Sequence, residues 1–180
     1  MWKKMISFLC NAPCHWVGEH IEYCKQIEII ENEEDNMIWT WRPQTSFWVY
    51  LIKANHHTLV YVPCEDNVFF VNPMFCLKQE CPSTSIFFCQ CIQDTENTHP
   101  KLLVMDIICE LGKNCSKLLP EKRYKTLMSY AQYFPVSFIE VQWCGHKTAL
   151  TSEFFNTLPH KVQSVIGIGL KTGSLYMKDL

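Results

Sequence analysis

The run Leu102-Leu103-Val104-Met105-Asp106-Ile107-Ile108 is apolar at both alternating sets of positions, interrupted only by Asp106. A strand with that pattern has no face to give to water, so it reads as the central strand of a sheet. Other strands follow from β-branched and aromatic runs at 47–52, 58–62, 68–71, 86–92, 136–143 and 165–170. Asn55-His56-His57 separates the first two, and asparagine accepts the left-handed backbone of a tight turn, so 47–62 reads as a hairpin. Pro63-Cys64-Glu65-Asp66-Asn67 forms the next turn.

Helices are fewer. Pro120 and Glu121 open a helix that carries Tyr124, Leu127, Met128 and Ala131 at helical spacing, and Pro135 ends it. A shorter helix begins at Thr151, whose hydroxyl can cap Glu153 and Phe154. Asn11 and Pro13 suggest another over 11–26, with Val17, Ile21 and Cys24 on one face. The expectation is a mixed α+β domain with an antiparallel-dominated sheet and a few packed helices.

Length and composition fit one globular domain over residues 1–180. Residues 1–44 then form an N-terminal helix and acidic loop, and 45–180 form the core. No apolar run is long enough to span a bilayer, and the N-terminal segment lacks the features of a secretory signal. The chain therefore reads as cytoplasmic or nuclear, with no membrane partner. Its eleven cysteines read as free thiols that behave as small apolar residues. Charge is uneven: residues 1–109 hold 7 Lys+Arg against 13 Asp+Glu, whereas 110–180 hold 9 against 5. The basic excess around Lys117, Lys122, Arg123 and Lys125 suits a phosphate-bearing ligand but is too small for duplex DNA.

Four segments carry a family resemblance: Leu51-Ile52-Lys53-Ala54-Asn55-His56, Leu103-Val104-Met105-Asp106-Ile107-Ile108 with Arg123 downstream, Val165-Ile166-Gly167-Ile168-Gly169-Leu170-Lys171, and Leu175-Tyr176-Met177-Lys178. In this order they resemble the strands of the mRNA-capping guanylyltransferases and nucleic-acid ligases, and the related non-catalytic cap-binding domain of snurportin. The resemblance implies a nucleotidyltransferase-like fold with an ATP-grasp-like sheet core. It also implies a cleft receiving a nucleotide or a capped or 5′-phosphorylated RNA end.

Nucleotidyl transfer to lysine needs a neutral amine and carboxylates that hold a divalent ion. Asn55 stands where the first hairpin of that family has an acid. The expected acidic strand reads Phe87-Phe88-Cys89-Gln90-Cys91, and the later acidic position falls near Gln163-Ser164. The sequence thus implies a binding domain without catalytic residues, metal or cofactor. Its ligand would meet charge from Lys53, Asp106, Arg123, Lys171 and Lys178, and aromatic faces from Trp41, Trp48 and Trp143. The alternative is a protein-interaction module, such as a viral accessory factor, that keeps the fold as a scaffold for a protein partner.

Two other groupings read more simply as structure. Cys10, Cys14, His20 and Cys24 have the chemistry of zinc ligands, but their spacing departs from common sites and suits one packed helix face. Cys144-Gly145-His146 lacks an orienting acid for a cysteine nucleophile.

Overall fold

The computed structural model describes residues 2–15, 20–24, 29–30, 32–33, 36–93 and 99–180. In chain order the elements are α1 (Trp2–Leu9), β1 (Cys10–Cys14), α2 (His20–Cys24), β2 (Ile29–Ile30), β3 (Met37–Pro43), β4 (Ser46–Ala54), β5 (His57–Val62), β6 (Asn67–Val71), β7 (Ser85–Gln93), β8 (Pro100–Glu110), β9 (Lys113–Asn114), α3 (Pro120–Tyr130), β10 (Ile139–Val141), α4 (Ser152–Asn156), β11 (Val162–Gly169) and β12 (Leu175–Asp179).

The strands form two sheets. An eight-stranded sheet runs β1-β6-β5-β4-β7-β8-β10, with β9 attached to β8, and a four-stranded sheet runs β2-β12-β11-β3. Pairing is antiparallel except between β8 and β10 and between β2 and β12. The architecture is therefore mixed α+β, mostly antiparallel and open. Among the described residues, no helix is long and apolar enough to cross a membrane.

Alternation along the strands builds two cores. On one face of the large sheet, Val49, Leu51, Phe87, Val104 and Ile107 pack under Leu9 of α1 and Leu127 and Tyr130 of α3. On the other face, Tyr50, Ile52, Phe88, Met105 and Ile108 meet Ile166, Ile168 and Leu175 of the small sheet. The double-sided apolar run of β8 supplies both cores at once, which is why no polar face interrupts it. The turn at Asn55 has φ 52°, the left-handed value that the hairpin requires.

The N-terminal expectation changes. Residues 11–14 form a strand, because Cys10, Pro13 and Cys14 pair with Val71, Phe69 and Val68 at the sheet edge. Proline is tolerated there, where a missing N–H costs no interior ladder bond. The helix lies instead at α1, where Met5, Ile6 and Leu9 share a buried face. Residues 16–19 and 25–28, which belong to the expected 11–26 helix, lie outside the described residues. The strand expected over 136–143 shortens to β10. Seven of the eleven cysteines are buried as core residues, and burial pushes the Cys10 and Cys24 thiols up to about 12.

A buried amide network ties the sheets together where β10 leaves the large sheet. The Gln142 Nε2 donates to Thr40 Oγ1 at 2.7 Å and to the Trp41 carbonyl at 2.6 Å. Its Oε1 accepts from Gln90 Nε2 at 2.7 Å, and Gln90 Nε2 also reaches the Trp41 carbonyl at 3.1 Å. Thr40 in turn donates to the Trp143 carbonyl at 2.8 Å.

Candidate nucleotide cleft

A cleft of ≈ 430 Å³ opens between the sheets, walled by Phe88 and Met105 of the large sheet and Ile168 and Leu175 of the small one. That volume falls within the range of small-molecule sites. At its mouth, Asp106 projects from β8 and Arg123 from the first turns of α3. Arg123 Nε donates to both Asp106 oxygens, at 2.9 and 3.1 Å. Arg123 Nη1 donates to the carbonyls of Ser116 and Leu118. The pair is largely withdrawn from water, with side-chain exposures of 3% for Arg123 and 17% for Asp106. Burial pushes the Asp106 carboxyl above its ordinary range. The charge and hydrogen bonds of Arg123 and the Ile107 N–H pull it down.

These bonds fix the guanidinium and leave its remaining nitrogen facing the turn at Gly173, which has φ 70°. A Cβ on Gly173 would lie 3.5 Å from Arg123 Nη2, and a left-handed backbone there strains any other residue. The same mouth carries the exposed Lys117 and Lys171 and the hydroxyls of Ser116, Thr172 and Ser174. Asp106 is the only carboxylate among the described residues lining it, against three cations. The mouth is therefore net positive, with hydroxyl donors between its lysines.

Asp106, Arg123 and Lys171 are thus brought together. Lys53 is not. It follows Val49 and Leu51 on β4, so it points to the helix-covered face of the large sheet, where it is 1% exposed. Lys178 faces the other way again. Its neighbours Leu175 and Met177 pack between the sheets, so Lys178 and Tyr176 project from the outer face of the small sheet. Lys53 and Lys178 lie on opposite sides of the molecule, and the single concavity expected to join Lys53, Asp106, Arg123 and Lys178 does not form. Strand parity decides this, since a shift of one position sends a side chain to the other face.

The tryptophans also divide. Trp41 and Trp143 stack on each other at 6.5 Å on the outside of the small sheet, with Phe154 against both. Trp41 Nε1 donates to His160 Nε2 at 2.9 Å. Only Trp48 belongs to the inter-sheet space. It stacks on Phe88 at 4.6 Å and carries the Arg42 guanidinium over its ring at 5.7 Å.

The chain matches no family model and no curated protein sequence. The site is therefore argued from its own geometry. Sequence reasoning missed Arg42, the hydroxyl groups of the 116 and 172–174 turns, and the role of Phe88 as the cleft wall. Arg42 had a signal, as a lone cation between Trp41 and Pro43 at the end of an apolar run. Among the described residues, no group of three or more His, Cys, Asp or Glu is placed to hold a metal ion.

Lys53 shows no hydrogen bond or ion pair to a described residue, although it is 1% exposed. Withdrawing most of a lysine side chain from water costs free energy that an apolar side chain of the same length does not incur. Lys53→Met keeps the length and removes the charge, so it is expected to raise stability by about 1–3 kcal/mol. Urea denaturation measures this, and a destabilised variant would show that the amine has a favourable partner.

Proposed function

We propose that this chain is a non-catalytic binding domain whose inter-sheet cleft receives a phosphate-bearing ligand of the nucleotide class. A 5′-phosphorylated or capped RNA end is the form that the resemblance suggests. The supporting observation is the mouth itself, where Lys117 and Lys171 flank a guanidinium held immobile by Asp106. A guanidinium fixed in advance loses little entropy on meeting an anion, and the two exposed lysines supply the charge that draws it in. Phe88, backed by Trp48, offers an aromatic wall for a planar ring. Binding without nucleotidyl transfer is the reading because Asp106 is the only carboxylate among the described residues lining the cleft, and Arg123 already holds both of its oxygens.

Titration with GTP, a methylated-guanosine cap analogue and short 5′-phosphorylated RNA should quench tryptophan emission through Trp48. The effect should weaken as salt rises. Lys117→Gln with Lys171→Gln should reduce affinity by about tenfold or more, whereas Trp143→Phe should leave it unchanged. Radiolabelled GTP with magnesium should leave the denatured protein unlabelled. Absence of quenching by all three ligands at low salt would reject this reading and leave the protein-interaction module, for which the exposed Leu118 and Leu119 beside the mouth would be the first surface to examine.

A further inference from the structure

A second cavity, of ≈ 510 Å³, lies at the edge of the small sheet, where β3 is the outermost strand. It shares none of its described lining with the cleft between the sheets. Trp39 supplies its aromatic face. Gly167, opposite it on β11, leaves room for the ring, since a Cβ there would come within 3.2 Å of Trp39 Cη2. The 144–148 segment is fastened along β3. Gly145 N–H donates to the Trp39 carbonyl at 2.9 Å, and Trp39 N–H donates to the Gly145 carbonyl at 2.8 Å. Lys147 is thereby carried over the cavity, with Nζ 4.4 Å from the centroid of the Trp39 ring and 3.3 Å from Glu33 Oε1.

An indole face with a carboxylate beside it recognises a positively charged group. Here the resident cation belongs to the chain itself, and it is loosely held. The Lys147 and Glu33 side chains are 47% and 50% exposed, and so exposed a pair contributes little. Glu121, exposed in the first turn of α3, also lines the cavity and makes no hydrogen bond or ion pair with a described residue. Once Lys147 is displaced, two carboxylates remain, and His146 is the only other basic side chain in the described lining.

The occupant can be narrowed. An incoming lysine would exchange like for like against a side chain tethered at high effective concentration. An arginine does better, because its planar guanidinium stacks on indole, is more weakly hydrated than an ammonium, and presents forked donors to carboxylate oxygens. Leu119, 52% exposed, stands two residues before Glu121, and Leu118 is 46% exposed. That apolar shoulder favours an arginine with apolar neighbours on a polypeptide over a free small cation. We infer that this cavity docks an arginine side chain on a segment of a partner protein, displacing Lys147 from the Trp39 face. The inference stands whether or not the cleft between the sheets takes a nucleotide.

Titration of capped leucyl-arginyl-leucine amide into the isotope-labelled full chain, followed by the indole N–H resonances, tests it. The Trp39 signal is identified by its loss in Trp39→Phe. The arginine peptide should shift that signal saturably, whereas the same peptide with citrulline, similar in shape but uncharged, should not. Lys147→Gln removes the resident cation and should tighten binding by about threefold or more. Glu33→Gln with Glu121→Gln should weaken it by about fivefold or more. No Trp39 shift at millimolar peptide and low salt, an equal shift from the citrulline peptide, or unchanged affinity in Lys147→Gln would overturn the inference. Equal affinity for butylguanidinium would overturn it too, since the cavity would then recognise a small cation and not a protein segment.

Discussion

Arg123→Ala is expected to destabilise the fold by about 3–5 kcal/mol, the cost of breaking a buried ion pair from one side. The substitution strands the Asp106 carboxylate, which keeps only the Ile107 N–H at 2.8 Å. It also frees the carbonyls of Ser116 and Leu118, which together pin the 116–118 turn to α3. The loss should depend on pH in a defined direction. The Asp106 carboxyl already lies above its ordinary range because burial outweighs the pull of Arg123. Removing that pull raises it further. An acid whose folded-state value is raised incurs no penalty below its unfolded value, and the penalty grows as pH rises towards the folded value. The variant's deficit should therefore be smaller near pH 4 than near pH 7, within the ordinary carboxylate range and above it. Urea midpoints at both pH values, with unchanged slopes, provide the measurement. Adding Asp106→Ala should recover part of the loss at pH 7, the signature of a coupled pair. A neutral-pH cost below about 1 kcal/mol would show that the pair behaves as a solvated surface bridge.

Gln142→Glu should be at least as damaging, although it changes one side-chain amide into a carboxyl of the same shape. Gln142 is 2% exposed, and its Nε2 serves two acceptors, the Trp41 carbonyl and Thr40 Oγ1. An ionised carboxylate would place an acceptor against the carbonyl and a charge in the wall between the sheets. The expected cost is several kcal/mol, on the order of 3–5, at neutral pH. The introduced carboxyl would titrate above its ordinary value, so the loss should appear as pH rises from about 4 and be small below it. Gln142→Leu separates charge from hydrogen bonding. It should cost about 1–3 kcal/mol with no such pH dependence. Equal effects of the two variants would show that packing, and not the amide network, joins the sheets here.

The residues singled out in the sequence fall unevenly around the cleft, for a physical reason. The Asp106 strand and Arg123 came together because each signal was local. A double-sided apolar strand must sit inside a sheet, and a carboxylate interrupting it must meet a cation on whatever element covers it. Lys53 and Lys178 were assigned from motif order alone, which does not fix face. Each was then placed by the parity of its strand, and parity put both sheets between them. Trp41 and Trp143 were expected as rings facing the ligand, but Trp41 points to the outer face of the small sheet, where it is buried against Trp143, Phe154 and His160.

From the sequence alone, periodicity determined the strand runs of β4 to β8 and β11, the Asn55 turn, the start of α3 at Pro120, and the Thr151 cap, where Phe154 N–H donates to Thr151 Oγ1 at 3.2 Å. These depend on neighbours a few residues apart, which a reading of the chain can see. Tertiary structure decided that the strands divide between two sheets, with β3 crossing from the small sheet to the large one through the 43–46 turn. It also decided that residues 10–14 pair at a sheet edge. The cleft is made of residues drawn from 88, 106, 123 and 171–174, and the second cavity draws on 33, 39, 121 and 147. Those contacts are set by which strand pairs with which and in what register. Side-chain pattern along one strand fixes its buried face, but the partner that covers that face is chosen by long-range pairing and by the packing of the whole.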